Sequence, residues 1–209
     1  MEMENKKGTT TLAMVFDNGI VAASEHRATM GMLIAHKVAK KIYKVDEHLL
    51  MTTAGLVGDA QLLARVMRVQ AELYKLEREE RMPVRGAAML MANILNQRKF
   101  YPYYVQLIMA GVDLTGSHVF SIDAAGGAIE DIYTTTGSGS PYVFGVLEDN
   151  FKKNLDEDSA IDLAIRAMNA AIKRDAASGN GIEVVVVTSK AYHRLSDEEV
   201  EERMKKLGL

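Results

Sequence analysis

The sequence predicts an α+β fold whose strands and helices form separate layers. Two observations carry this prediction. Apolar and β-branched segments are grouped in blocks between pairs of helical segments, and the last strand is followed by a single terminal helix. This order differs from the regular β-α-β alternation of a parallel sheet. A chain of 209 residues is long enough to bury a sizeable core within such layers.

The chain opens with a predicted hairpin. Thr10–Phe16 and Ile20–Ser24 are rich in apolar and β-branched residues, and Asp17–Gly19 between them contains Asn-Gly. Asn-Gly is a strong hairpin signal, because both turn positions accept positive φ. Two further strands are predicted at Lys41–Val45 and Leu49–Thr53.

The segment 59–78 is predicted to form a helix, because apolar residues recur in it every three or four positions. Asp59 is expected to cap this helix or to lie in its first turn. Leu63 and Met67 fall outside the apolar stripe, so we expect them to contact neighbouring chains. The stripe itself, which marks one face of the helix, contains Leu62, Val66, Val69, Leu73 and Leu76.

The remaining elements are predicted from similar signals. Pro83 is expected in the first turn of a second helix that runs to about Arg98, and Gly126–Gly127 breaks the strand pattern. Ser196 precedes a last helix and has Glu199 at capping-box spacing. The other predicted elements, in chain order, are strands at Val105–Gly111, His118–Asp123 and Tyr133–Thr136, a loop at Gly137–Pro141 that opens a short helix, a long helix at Asp158–Asp175 and a buried strand at Ile182–Val187.

The composition argues against several classes of function. The net charge is −3 and there is no basic stripe, so no nucleic-acid partner is expected. No apolar run reaches the roughly 18–20 residues of a membrane span, and "MEMENKKG" lacks the apolar segment of a secretory signal. The absence of cysteine removes thiolate nucleophiles and disulfides. The five histidines show no close pairing, so no metal site is expected. These features are consistent with a cytoplasmic protein, which is what we expect.

The common sequence motifs for a catalytic nucleophile or a phosphate-binding loop are missing, but the junction of Gly8 and Thr9 offers a different nucleophile. Gly137–Pro141 lacks the lysine of a phosphate-binding loop, and no serine lies in a Gly-x-Ser-x-Gly elbow. If the chain were cut after Gly8, Thr9 would carry a free α-amine, with a pKa of roughly 7.7–8, beside its own hydroxyl. That amine can accept the hydroxyl proton, so no histidine is needed. The alternative is an ordinary polar terminus that leads into the first strand.

Six segments of the chain resemble proteasome β subunits, most closely the archaeal type. They are "GTTT", "ASEHRATMG", "AKKIY", "MTTAGLVGDAQ", "GGAIEDIYTTTGSGSPYVFGVLE" and "KRDAASGNGIEVVVVT", in the family's order and spacing. The resemblance implies an N-terminal-nucleophile hydrolase with a four-layer αββα sandwich, which agrees with the predicted layers. It also implies a threonine endopeptidase that exposes Thr9 by self-cleavage after Gly8. Glycine there permits the tight backbone geometry of that cleavage. Residues 1–8 would be a propeptide and residues 9–209 a single hydrolase domain.

The resemblance also assigns a lysine and its acidic partner. Glu25 of "ASEHR" matches the acid, which is aspartate in many relatives, and Lys41 of "AKKIY" matches the catalytic lysine. Without the resemblance, Lys41 would be interpreted as a solvated lysine at a strand end, like Lys40. Arg27 lies on the same face of the extended strand as Glu25, where it either steadies that carboxylate or is a surface arginine.

Other site residues follow from the same register. Gly55, otherwise a turn glycine, matches the residue whose backbone N–H forms the oxyanion hole. Ser138, Asp175 and Ser178 match the residues that orient the threonine amine and help to move protons, although Asp175 could be a helix-end acid and Ser178 a turn former. The predicted pocket for the substrate side chain is lined by Ala28, Ala39, Thr53 and Val57, with Gln61 near its base. None of these is charged, so we expect cleavage after large apolar or aromatic residues.

Assembly and partners are also implied by the resemblance. In the family, seven β subunits form a ring, two such rings stack between rings of α subunits, and a regulatory ATPase feeds unfolded polypeptides inside; no cofactor is needed for hydrolysis. Three alternatives remain at this point. They are the bacterial two-component relative, a non-catalytic β subunit that serves only ring assembly, and a simple amidase of the same superfamily. The presence of Gly8, Thr9 and Lys41 argues against the non-catalytic subunit.

Overall fold

The computed structural model describes residues 8–209, and most of the predicted propeptide, Met1–Lys7, lies outside this range. The strands in chain order are β1 Thr10–Phe16, β2 Gly19–Glu25, β3 Ala28–Met30, β4 Leu33–His36, β5 Ile42–Asp46, β6 Leu49–Gly55, β7 Val105–Asp113, β8 Gly116–Ile122, β9 Ala128–Asp131, β10 Tyr133–Gly137, β11 Ile182–Thr188 and β12 Tyr192–Arg194. The helices are α1 Val57–Arg78, α2 Val84–Gln97, α3 Ser140–Asn150, α4 Glu157–Arg174 and α5 Asp197–Lys206.

Two antiparallel sheets lie between two layers of helices. One sheet has the strand order β10-β1-β2-β11-β12, the other has the order β5-β6-β7-β8-β9, and β3 and β4 form a separate hairpin. One apolar core joins α1 and α2 to the second sheet, another joins α3, α4 and α5 to the first sheet, and a third lies between the two sheets. The predicted α+β class and the four-layer αββα sandwich are therefore confirmed.

Strand β11 is a continuous apolar run because it is buried on both of its faces. Val184 and Val186 pack in the core shared with the helices, whereas Val185 and Val187 pack between the sheets. Successive strand side chains point to opposite faces, so a strand buried on both faces needs apolar residues at every position.

All the helices within residues 8–209 are too short or too polar to cross a membrane.

Most predicted elements are present within one or two residues of the expected bounds. The capping box of Ser196 and Glu199 is present at the start of α5. Pro83 occupies the capping position before α2 and not its first turn. Asp59 lies in the first turn of α1, where its side chain accepts a hydrogen bond from the Tyr104 backbone N–H at 2.9 Å.

Four short strands, β3, β4, β9 and β12, were not predicted. Each has only three or four residues, which is too few to establish an alternating pattern. Strand β4 is exposed along its whole length, so no buried face marks it in the sequence.

The first hairpin forms as predicted, but its turn differs. Phe16 pairs with Gly19, so the loop residues are Asp17 and Asn18, and neither has positive φ. Gly19 is required for space, because a Cβ there would lie 2.4 Å from the Val187 carbonyl oxygen of the neighbouring strand.

The buried face of α1 also differs from the predicted stripe. Leu62, Val69, Leu73 and Leu76 are between 40% and 76% exposed. Leu63 and Met67, which were expected to contact other chains, are at most 1% exposed and belong to the core. The face that packs on the second sheet consists of Ala60, Leu63, Ala64, Met67 and Ala71. Both stripes have helical spacing, and the small alanine side chains allow the helix to approach the sheet closely.

This difference gives a direct prediction for stability. Leu63→Ala should lower the free energy of unfolding by about 2–5 kcal/mol, because it leaves a cavity in the core. Leu62→Ala, the matched control one position earlier, should lower it by less than about 1 kcal/mol. Urea denaturation of the isolated chain measures both values. Equal losses would contradict the observed packing of α1.

Candidate active site

Thr9 lies where the ends of three strands meet. It directly precedes β1, and the register of β1 with its antiparallel neighbours places this end beside the carboxyl ends of β2 and β10. Glu25 ends β2, and Ser138 follows β10. Lys41 immediately precedes β5 of the facing sheet, and Asp175 follows the last residue of α4. The fold therefore brings together chain segments that are far apart in the sequence.

The Glu25 carboxylate is fully buried and has four hydrogen-bond donors. Its Oε1 accepts from Lys41 Nζ and, at 3.1 Å, from the Thr10 backbone N–H. Its Oε2 accepts from the backbone N–H groups of Arg27 at 2.6 Å and Gly179 at 3.0 Å. A buried charge is tolerated when it is paired and hydrogen-bonded in this way. Glu25 thus fixes both the start of β1 and the head group of Lys41.

Lys41 is a buried lysine and not the solvated strand-end residue of the alternative interpretation. Its side chain is only 5% exposed, and Nζ donates to the Glu25 carboxylate and to the Arg27 carbonyl oxygen. Burial lowers the pKa of Lys41, while the neighbouring charges of Glu25 and Asp175 act in the opposite direction. A lowered pKa means that this lysine releases its proton at a lower pH than a free lysine does.

A second hydrogen-bonded group lies on the other side of Thr9. Asp175 Oδ2 accepts from the hydroxyls of Ser138 and Ser178, both at 2.6 Å. Because the Ser138 proton is used in that bond, its oxygen is free to accept from the Thr9 backbone N–H at 3.3 Å. Ser178 Oγ in turn lies 2.7 Å from Thr10 Oγ1. The three predicted residues therefore form one chain of hydrogen bonds that ends at the nitrogen of Thr9.

A cavity of about 320 Å³ opens beside Thr9 and Lys41. Four of the predicted pocket residues line it, namely Ala28, Ala39, Thr53 and Val57. Gln61 is exposed on α1 and is not among the lining residues. Sequence reasoning missed Met30 and Tyr43, which enlarge the apolar wall, His36, and Lys40, which adds positive charge. Among residues 8–209, Thr53 Oγ1 is one of three buried side-chain nitrogen or oxygen atoms without a hydrogen-bond partner.

Gly55 lines the same cavity and must be glycine for steric reasons. Its φ is 129°, and a Cβ there would lie 2.0 Å from the Tyr104 carbonyl oxygen. The end of β6 can therefore reach the cavity only as bare backbone, which is compatible with the predicted use of its N–H.

Arg27 does not contact the Glu25 carboxylate through its side chain. Its guanidinium donates to the Ala176 carbonyl oxygen at 2.7 Å and to Asn180 Oδ1 at 2.8 Å. Arg27 therefore holds the loop that carries Ser178.

In the described range, no three His, Cys, Asp or Glu side chains are grouped closely enough to hold a metal ion.

Sequence reasoning also missed two threonines near Thr9. Thr10 Oγ1 accepts a hydrogen bond from the Gly139 N–H at 3.1 Å in addition to its contact with Ser178. Thr29 Oγ1 accepts from the Gly8 N–H at 2.9 Å. The threonine run after Gly8 was the only available signal for Thr10, and Thr29 lies on the unpredicted strand β3.

Comparisons with known proteins show which family the chain belongs to. The family model described as "Proteasome subunit" matches residues 5–187. The chain is 55% identical over 202 residues to "Proteasome subunit beta" of Methanosphaerula palustris, an alignment that covers 96% of each chain. It is 52% identical over 202 residues to the protein of that name from Ferroglobus placidus, also with 96% of each chain covered. For Thermoplasma acidophilum the identity is 49% over 210 residues, covering 100% of this chain and 99% of the relative. A match of this extent shows that the chain belongs to the proteasome subunit family.

Proposed function

We propose that this chain is a catalytic proteasome β subunit, a threonine-type endopeptidase whose nucleophile is Thr9. One observation carries the proposal: the buried Lys41–Glu25 pair and the Ser138–Asp175–Ser178 chain converge on the junction of Gly8 and Thr9. An ordinary polar terminus would not need two buried polar networks around its first strand.

Self-cleavage would expose the nucleophile. Thr9 Oγ1 attacks the Gly8 carbonyl carbon, the C–N bond between Gly8 and Thr9 breaks, and the Thr9 nitrogen takes up the hydroxyl proton. Water then hydrolyses the resulting ester, which gives a Gly8 carboxylate and restores the Thr9 hydroxyl. Before cleavage the Thr9 nitrogen is an amide and cannot act as a base. Lys41, with its lowered pKa, is the nearby group suited to move the proton.

In the mature chain, the free α-amine of Thr9 takes over as the base. It accepts the hydroxyl proton while Oγ1 attacks the substrate carbonyl, and the leaving amine of the substrate receives a proton as the peptide bond breaks. The Gly55 N–H would stabilise the developing oxyanion. Ser138, Asp175 and Ser178 orient the amine, and water hydrolyses the acyl ester on Thr9.

An electrophilic peptide tests the identity of the nucleophile. The assembled particle is incubated with a peptide β-lactone, which acylates activated hydroxyls, and the adduct is located by tandem mass spectrometry. We expect the label on Thr9. Label on Ser138 or Ser178 instead would contradict the proposed function.

The cavity composition supports a preference for large apolar or aromatic side chains before the scissile bond. Apolar walls favour buried area at roughly 25 cal/mol per Å². The positive charge of Lys40 lies in the lining and disfavours a basic side chain. The apolar walls cannot replace the hydration that an acidic side chain would lose on burial. In a panel of fluorogenic peptides that differ only at this residue, leucine and tyrosine peptides should be cleaved faster than arginine and glutamate peptides. Faster cleavage of either charged peptide would contradict the pocket assignment.

We further propose the family's assembly for this chain: seven copies in a ring, two such rings between rings of α subunits, and a regulatory ATPase that delivers unfolded polypeptides through the α rings. The exposed apolar side chains support contacts with other subunits. They include Met32 and Leu33 on the β3–β4 hairpin and Leu73 and Leu76 on α1.

Processing is accordingly expected to require assembly. The chain alone should sediment as small, unprocessed and inactive species, whereas co-expression with its α subunits should give a large, processed and active particle. Sedimentation velocity combined with intact mass measures both properties. An active monomer with a free Thr9 would refute this prediction.

A further inference from the structure

Gly8 is held by a hydrogen bond that it donates to the β3–β4 hairpin. The Gly8 N–H donates to Thr29 Oγ1 at 2.9 Å, and Thr29 is only 6% exposed. On the other side of the Gly8 carbonyl, the Thr9 N–H donates to Ser138 Oγ. Both amides that flank the carbonyl attacked in self-cleavage are thus anchored to side chains.

Gly8 also has a close steric neighbour. A Cβ at Gly8 would lie 1.6 Å from the Ala177 Cβ and 2.9 Å from the Ala177 Cα. Glycine is therefore required at this position for space, because a methyl group there would overlap Ala177.

We propose that Thr29 and Ala177 are positioning residues for self-cleavage. Together they hold Gly8 so that its carbonyl carbon faces the hydroxyl oxygen of Thr9. The proposal rests on the proposed function, because it names the residues that position the precursor for that reaction. Thr29 restrains the Gly8 backbone by its hydrogen bond, and the Ala177 methyl fills the space next to the Gly8 Cα. Neither residue takes part in bond making or breaking.

The hydrogen bond is tested by a pair of substitutions at one position. Thr29→Val has nearly the same shape but no acceptor, whereas Thr29→Ser keeps the hydroxyl. Each precursor is mixed with its α subunits, and propeptide loss is followed over time by intact mass. We expect the valine variant to be roughly tenfold slower than wild type, the effect of one lost hydrogen bond, and the serine variant to stay within about threefold. A valine variant that is processed at the wild-type rate would overturn the role of Thr29.

The steric contact is tested by compensation. Gly8→Ala should slow propeptide loss by about 100-fold or more, because its methyl overlaps Ala177. Adding Ala177→Gly removes the overlapping atom and should restore at least about tenfold of that rate. The processing rate of the double variant is compared only with that of Gly8→Ala. If Ala177→Gly slows processing for another reason, that loss lowers the measured rescue and cannot produce a false one. A double variant no faster than Gly8→Ala would overturn the role of Ala177.

The same time courses separate this proposal from the proposed function. A Thr9→Ala precursor is included, and cleavage of that precursor after Gly8 would contradict Thr9 as the nucleophile. If the Thr9→Ala precursor stays intact while Thr29→Val is processed normally and Ala177→Gly gives no rescue, only the positioning role fails. Slow processing of Thr29→Val with rescue by Thr29→Ser and by Ala177→Gly supports the proposal.

Discussion

Thr9→Ala is expected to abolish peptide hydrolysis and to leave residues 1–8 attached after assembly. The substitution removes the only atom that the mechanism uses as a nucleophile, so the rate should fall by a factor on the order of 10⁴–10⁶. Fluorogenic peptide hydrolysis and intact mass of the assembled particle measure the two effects. Loss of both together is expected, because the same hydroxyl carries out both reactions.

Thr9→Ser is the matched control for this experiment. It keeps a hydroxyl beside the α-amine, so processing and some peptidase activity should persist. Normal propeptide removal by Thr9→Ala would rule out self-cleavage by this residue. Assembly of both variants is checked by sedimentation, so a folding defect is not mistaken for a chemical one.

Lys41→Ala should have the second largest effect, with a loss of peptidase rate of roughly 10²–10⁴-fold. It removes the buried amine that lines the cavity with Thr9 and that, in the proposed mechanism, moves protons. The fold should survive, because Glu25 keeps three backbone N–H donors, from Thr10, Arg27 and Gly179. The rate is measured with a fluorogenic peptide on the assembled particle.

Lys44→Ala is the control for Lys41→Ala. Lys44 is three residues further along, on β5, and its side chain is 39% exposed and pairs with Glu47. A surface pair of this kind contributes little, so near wild-type activity is expected. Lys40 is less suitable as a silent control, because it lines the cavity and its loss could alter substrate binding. Equal losses from Lys41→Ala and Lys44→Ala would contradict the assignment of the catalytic lysine.

The layer architecture could be predicted because its signals are local. The apolar run of β11 and the capping residue Ser196 each identify an element without reference to the rest of the chain. The buried face of α1 could not be predicted in this way. Both of its apolar stripes fit a helix, and the choice of the alanine-containing stripe depends on the shape of the sheet beneath it.

The candidate site likewise has residues that could be predicted from the sequence and residues that could not. The resemblance predicted Lys41 and Asp175 as site residues. In the structure Lys41 lines the cavity with Thr9, and Asp175 is linked to Thr9 through Ser138. Thr29 had no signal, since its contact with Gly8 spans 21 positions and lies on a strand too short to recognise. The need for glycine at position 8 was predicted from its missing Cβ, but the neighbour that a Cβ would meet, Ala177, could not be predicted, because that contact is a tertiary one.

The mass of the subunit from the assembled, active particle tests the central claim most directly. The account predicts a chain that begins at Thr9, lacks residues 1–8 and carries a free α-amine, as N-terminal sequencing would confirm. An active particle whose subunit still begins at Met1, or at any residue other than Thr9, would contradict it.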